Sequence, residues 1–219
     1  MYQYILFDLD GTLVDSGLGV TNSVAYALRK WGKEVPDRVK LNRFIGPPLT
    51  WSFQNYHGYS EEDSLKAVAD YREYYQDKGI YEAEVYPGIR ELLADLKALG
   101  KTLLVATSKP EDFAVRVLKY LQLDSFFDFV AAATMDEKTR TAKADVIRYG
   151  LEQCGVADWK QAVIVGDRKH DILGAREAGI DSIGVLFGYG SREELEAAGA
   201  TWICPGTEDV LKVINEEAV

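Results

Sequence analysis

Tyr4-Ile5-Leu6-Phe7-Asp8-Leu9-Asp10-Gly11-Thr12 runs four uninterrupted apolar residues into two acids and a glycine. A short apolar run with no alternation is the pattern of a strand buried on both faces, and such strands belong to parallel sheets. The same pattern returns at Thr102–Ala106, Phe129–Ala132, Ala162–Val165, Ser182–Leu186 and Thr201–Ile203. Between these runs apolar residues recur at helical spacing. Examples are Ile89, Leu92, Leu93, Leu96 and Leu99 before Gly100, then Phe113, Val117, Leu118 and Leu121, then Val146, Ile147 and Leu151. Strand and helix in alternation predict right-handed crossovers and a mostly parallel sheet covered on both sides. The expected fold class is α/β, doubly wound and Rossmann-like.

The alternation breaks once. From about residue 16 to residue 80 the pattern is helical only, with Val20, Val24, Ala27, Leu28 and Trp31 on one face and Leu65, Val68, Ala69, Tyr71, Arg72 and Tyr75 in a second segment. That is too long for one crossover. It predicts a small α-helical domain, residues 16–81, inserted into a core made of 1–15 and 82–219. The exits are expected near Asp15-Ser16-Gly17 and Glu82-Ala83.

Charge and composition narrow the function. A net charge of −10 argues against a nucleic-acid polymer as partner, because that surface needs basic residues against phosphates. No stretch approaches the roughly 18 apolar residues of a membrane span. The start, Met1-Tyr2-Gln3-Tyr4, lacks the basic and apolar regions of a signal peptide, so a cytoplasmic enzyme is expected. Cys154 and Cys204, with no metal-ligand spacing, are expected as free thiols.

In open α/β sheets ligands bind at the carboxyl ends of the strands. There the first strand delivers Asp8 and Asp10, the second Thr107, Ser108 and Lys109, and the fourth Gly166-Asp167-Arg168-Lys169-His170-Asp171; Lys143 opens the helix after the third. Taken singly, an Asp-x-Asp is a solvated loop, Thr-Ser an N-cap, a helical lysine a surface group and Gly-Asp a turn. Together, in order at four strand ends, they make a site. Two crowded carboxylates need a cation or a proton between them. One can attack phosphorus while its neighbour serves as acid and base. Asp167 adds an oxygen ligand suited to Mg²⁺, and Asp171 can hold the metal's waters or Lys143. Thr107 and Ser108 can donate to phosphate oxygens, and Lys143 can offset the charge of nucleophile and phosphoryl group.

Asp8 through Ser16, with Thr107-Ser108, Lys143 and Gly166 through Asp171, resembles the four motifs of the haloacid-dehalogenase-like phosphatases. Phe44-Ile45-Gly46-Pro47-Pro48, Ala106 through Pro110 and Gly188-Tyr189-Gly190-Ser191 look most like the phosphoglycolate-phosphatase-like branch, closest to its bacterial 5′-nucleotidase-like members. The resemblance spans the whole chain. It implies Asp8 as nucleophile, Asp10 as general acid and base, and Mg²⁺ on the Asp8 carboxylate, the Asp10 backbone carbonyl and Asp167. It further implies phosphate held by Thr107 and Lys143, Asp171 supporting the metal shell, and a helical cap over the site. The dehalogenases lack the second aspartate of the first motif, so Asp10 points to phosphoryl chemistry. The expected substrate is a nucleoside 5′-monophosphate or another small phosphorylated metabolite. Phosphoglycolate is the alternative, and a phosphosugar mutase shares the motifs. A phospho-receiver module would have no use for a lid or a leaving-group acid. In the cap, the stiff segment Arg43–Leu49 is expected to meet substrate, with Arg43 on a polar group, Phe44 or Trp51 stacked on a base, and Gly46 allowing close approach.

Overall fold

A computed structural model describes residues 2–35, 37–136 and 139–215. Six parallel strands form the central sheet: β1 (Tyr4–Phe7), β4 (Thr102–Pro110), β5 (Phe129–Ala133), β6 (Ala162–Gly166), β7 (Asp181–Val185) and β8 (Trp202–Cys204). Their order is β5-β4-β1-β6-β7-β8. The chain winds outward from β1 through β4 to β5, then crosses back to β6 and winds the other way. The reversal falls beside β1, which opens a crevice at its carboxyl end. All six apolar runs are strands. β4 continues past the expected end at Ala106, because Thr107 pairs with Ala132 and, after a shift of register, Pro110 pairs with Ala133.

Alternation along the strands splits the core into two faces. Ile5, Phe7, Val105, Val163 and Val165 pack on one side, continuous with the helices α4 (Ile89–Ala98), α5 (Glu111–Tyr120) and α9 (Thr207–Ile214). Leu6, Leu104, Ala106 and Ile164 face the other, under α6 (Lys143–Gln153) and α7 (Lys169–Ala178). α8 (Arg192–Ala198) packs Leu195 against Ile172 of α7.

A two-stranded antiparallel ribbon, β2 (Val14–Asp15) and β3 (Glu84–Val85), lies where the chain leaves and re-enters the sheet region. Between its strands are α1 (Gly17–Lys30), α2 (Leu49–His57) and α3 (Glu61–Tyr75). α3 starts where the Ser60 hydroxyl accepts the Asp63 N–H at 3.0 Å, with three acids in its first turn favoured by the helix dipole. Its buried Ala67, Val68, Tyr71 and Tyr75 pack with Val20, Val24 and Leu28 of α1, in an apolar cluster that runs unbroken into the sheet. The two cysteines are free. No helix among the described residues is long and apolar enough to cross a membrane.

Candidate active site

β1 carries Asp8 out of the sheet at the level of Ala106 and Gly166, since Phe7 is in register with Val105 and Val165. The carboxylate is buried. The chain then turns sharply, with Gly11 N–H donating to Val14 O at 2.8 Å. Gly11 has φ +88°, and a Cβ there would come within 2.3 Å of Asp167 Oδ2. Only glycine permits both the turn and the approach.

Lys143 is the first residue of α6. Its ammonium donates to Asp8 Oδ1 at 2.7 Å and Ala106 O at 3.0 Å, and pairs with Asp171 Oδ1 at 2.8 Å. Asp171, in the first turn of α7, also accepts the Arg168 N–H at 3.1 Å through Oδ2. Lys143 reaches this place because α7 presents Gly174 to it; a Cβ there would lie 2.7 Å from Lys143 Cβ. Asp167 is fully buried. It accepts the Tyr189 N–H at 2.7 Å and the Thr12 hydroxyl at 3.4 Å and makes no ion pair among the described residues.

The second lysine belongs to β4. Lys109 Nζ lies 2.8 Å from each oxygen of Asp10, with its side chain 6% exposed, and sits over the Tyr75 ring of α3, 4.9 Å from the centroid. The buried Thr107 hydroxyl accepts the Lys109 N–H at 3.1 Å, which braces the irregular end of the strand. Two lysines thus pair with three of the four carboxylates, and Asp167 is the one left without a lysine among the described residues. Burial pushes the Asp8 carboxyl up to about 6 while Lys143 opposes it. Burial, with Asp171 and Asp8 nearby, drives Asp167 well above the carboxylate range. For Lys109, burial is the largest influence and lowers the pKa, but Asp10 and Tyr75 together outweigh it and the net shift is upward.

This cluster is suited to a hard cation. Carboxylate oxygens of Asp8, Asp167 and Asp171 lie within 4.8 Å of one another, all from buried residues. Burying carboxylates without enough positive charge costs several kcal/mol per ion. An all-oxygen donor set in excess of its lysines fits Mg²⁺.

Above the site, a partly open cavity lies between the sheet and the three helices, lined by Asp10, Ser108 and Lys109 below and by Phe44, Gly46 and Tyr75 above. A second, more open hollow shares Gly46, Pro48 and Ser108 with the first and reaches Lys143, Trp51 and His170. Of the cap residues singled out in the sequence, Gly46 and Phe44 line the first cavity, although Phe44 is only 2% exposed and packs edge-on to Phe53 and Tyr56. Arg43 is not brought to it: its guanidinium lies over the Tyr56 ring at 4.3 Å and is exposed. Asp8, Asp10, Thr107, Ser108, Lys143, Asp167 and Asp171 do converge. Two contacts have no signal in the sequence. Lys109 was visible in Thr107-Ser108-Lys109, but nothing in the spacing shows which carboxylate it meets. Arg168 donates to Ile45 O at 2.9 Å and to Glu194 Oε1 at 2.9 Å, joining the segment before Gly46 to α8.

Residues 5–185 match the family model of the haloacid dehalogenase-like hydrolases. A 5′-nucleotidase of Pseudomonas aeruginosa is 43% identical over 98% of this chain and 96% of its own length. Tyrosine-protein kinase PtkA of Mycobacterium tuberculosis is 36% identical over 91% of this chain and 67% of its own. The crystal structure of a predicted phosphatase from Clostridium acetobutylicum superposes with a TM-score of 0.96 at 44% identity, covering 99% of both chains. The chain belongs to the haloacid dehalogenase-like hydrolases and is a phosphatase of that family.

Proposed function

We propose that this phosphatase hydrolyses nucleoside 5′-monophosphates with Mg²⁺, through an aspartyl-phosphate on Asp8. The observation that carries the reading is the pairing of acids with lysines. Asp8 is buried at the end of the central strand with Lys143 at 2.7 Å, while Asp10, two residues on, faces the cavity beside Lys109. In this reading the first carboxylate attacks and the second handles the proton of the group that leaves.

An Asp8 oxygen forms a bond to phosphorus as the bond from phosphorus to the ester oxygen breaks, and Asp10 gives that oxygen its proton. Asp10 then takes a proton from water, the water oxygen bonds to phosphorus, and the bond to Asp8 breaks to release inorganic phosphate. Thr107, Ser108 and Lys143 hold phosphoryl oxygens throughout. The Asp8 carboxylate, the Asp10 backbone carbonyl and Asp167 would hold Mg²⁺, with Asp171 in support; when bound, the cation neutralises phosphate charge. Residues 16–81 act as the cap domain on the core of 1–15 and 82–219, and shut water out over the leaving group. The 43% identity to a 5′-nucleotidase and the aromatic side chains of Phe44, Tyr71, Tyr75 and Phe113 that line the cavity support a nucleoside leaving group.

Phosphate release across nucleoside monophosphates, phosphoglycolate, pyrophosphate and sugar phosphates, with Mg²⁺ and with EDTA, tests this. The expected result is a Mg²⁺-dependent preference for nucleotides, abolished by EDTA. A peak at phosphoglycolate would overturn the substrate, and release undiminished in EDTA would overturn the metal.

A further inference from the structure

Two carboxylates two residues apart at one strand end repel each other, yet Asp8 and Asp10 do different work and must stay apart. The fold answers with two lysines from different elements. Lys143, from α6, takes Asp8 and Asp171; Lys109, from β4, takes Asp10 alone, equidistant from both its oxygens. Lys109 is aimed there by local irregularity. The register of β4 shifts between Thr107 and Pro110, and the Lys109 N–H is tied back to the Thr107 hydroxyl. A bulge of this kind re-aims a side chain. On the cap side the ammonium is covered by the ring of Tyr75, itself buried and packed edge-on to Phe113 of α5.

We propose that Lys109 is a positioning residue that holds the Asp10 carboxyl toward the leaving group, in the cavity between sheet and cap, and away from Asp8. The proposal rests on the reading of Asp10 as acid and base. It separates the two lysines by role: Lys143 serves the nucleophile and the phosphoryl group, whereas Lys109 serves the proton transfer. Lys109 belongs to the part of the site whose importance depends on how badly the leaving oxygen needs a proton. A dinitrophenolate leaves unaided, and a ribose 5′-alkoxide does not.

The test is kcat/KM, which reports the step that expels the leaving group, along a series from 2,4-dinitrophenyl phosphate through p-nitrophenyl and phenyl phosphate to a nucleoside 5′-monophosphate. Lys109→Met, Lys109→Arg and Asp10→Asn are compared with the unaltered protein, after thermal melting shows each is folded. The expectation is that Lys109→Met loses about 10²-fold on the nucleotide, within the range of a general acid, and much less on the dinitrophenyl ester. Lys109→Arg recovers part of the loss on the nucleotide. An equal loss at every leaving group would assign Lys109 to the phosphoryl group and overturn the proposal, as would no loss at all. Should Lys109→Met fail to fold, the Arg variant carries the test, since a displaced but charged group must still tilt the series. If Asp10→Asn shows no dependence on the leaving group, the reading of Asp10 itself falls. A tilted Asp10→Asn series beside a flat Lys109→Met series overturns the role of Lys109 alone.

Discussion

Asp8 is the residue on which chemistry and stability pull in opposite directions. Its carboxyl titrates near 6, above its ordinary 3.8, chiefly because it is buried. A carboxylic acid whose pKa is raised by folding binds its proton more tightly in the native state, so stability falls as pH climbs from about 4 to about 6 and stays lower above that. Asn at this position keeps the shape, removes the charge and leaves Lys143 its pair with Asp171. Asp8→Asn is therefore expected to lose at least about 10³-fold in turnover, as covalent nucleophiles do. In EDTA at pH 7 its melting temperature should equal or exceed that of the unaltered protein, and the gap should close toward pH 4. Thermal melts at the two pH values, beside a turnover assay, check both halves.

Elements set the positions that single residues exploit. Lys143 reaches Asp8 only because α6 and α7 approach closely over Gly174, where an added Cβ would sit 2.7 Å from both Cβ and Cγ of Lys143. Gly174→Ala must push the helices apart or swing the lysine away. Overpacking of this kind costs about 1–3 kcal/mol. Melting should show that loss, and kcat should drop more than KM rises, since the lysine and not the cavity is displaced; an unchanged melting curve and unchanged kcat would contradict the packing account. The sheet elements are legible because a buried parallel strand needs an unbroken apolar run, which is clearest in β1, β4, β5 and β6 and shorter in β7 and β8. Others are not. β2 and β3 are two residues each, too short for any period. α2 shows no clear helical period, because Trp51, Phe53 and Tyr56 alternate with Ser52, Gln54 and Asn55 over only nine residues. The prolines of Arg43–Leu49 predict one stiff segment. In the structure Arg43 and Phe44 end a 3₁₀ turn over Val39–Phe44, and Leu49 begins α2.

Across the whole molecule, a chain with net charge −10 buries two lysines where phosphate is expected to sit. Lys143 comes from α6 and Lys109 from β4, and a cation on Asp8 and Asp167 would complete the balance. Which acids and hydroxyls converge was readable, because the carboxyl ends of parallel strands must meet and Asp8, Asp10, Thr107, Asp167 and Asp171 are at or just past them. Which lysine serves which carboxylate was not, because that depends on a register shift in β4 and on a close contact between α6 and α7. Nor could spacing show that Phe44 packs among Phe53, Tyr56 and His57 while still bordering the cavity. The central claim is that phosphate passes through Asp8, and the most direct test is to catch it there. Enzyme turning over substrate with Mg²⁺ is acid-quenched within milliseconds, reduced with borohydride, which converts an aspartyl-phosphate to homoserine, and mapped by peptide mass spectrometry. The account predicts homoserine at position 8, present with substrate and absent without it. Homoserine at another aspartate, or none at position 8 in protein that releases phosphate in the same experiment, would contradict it.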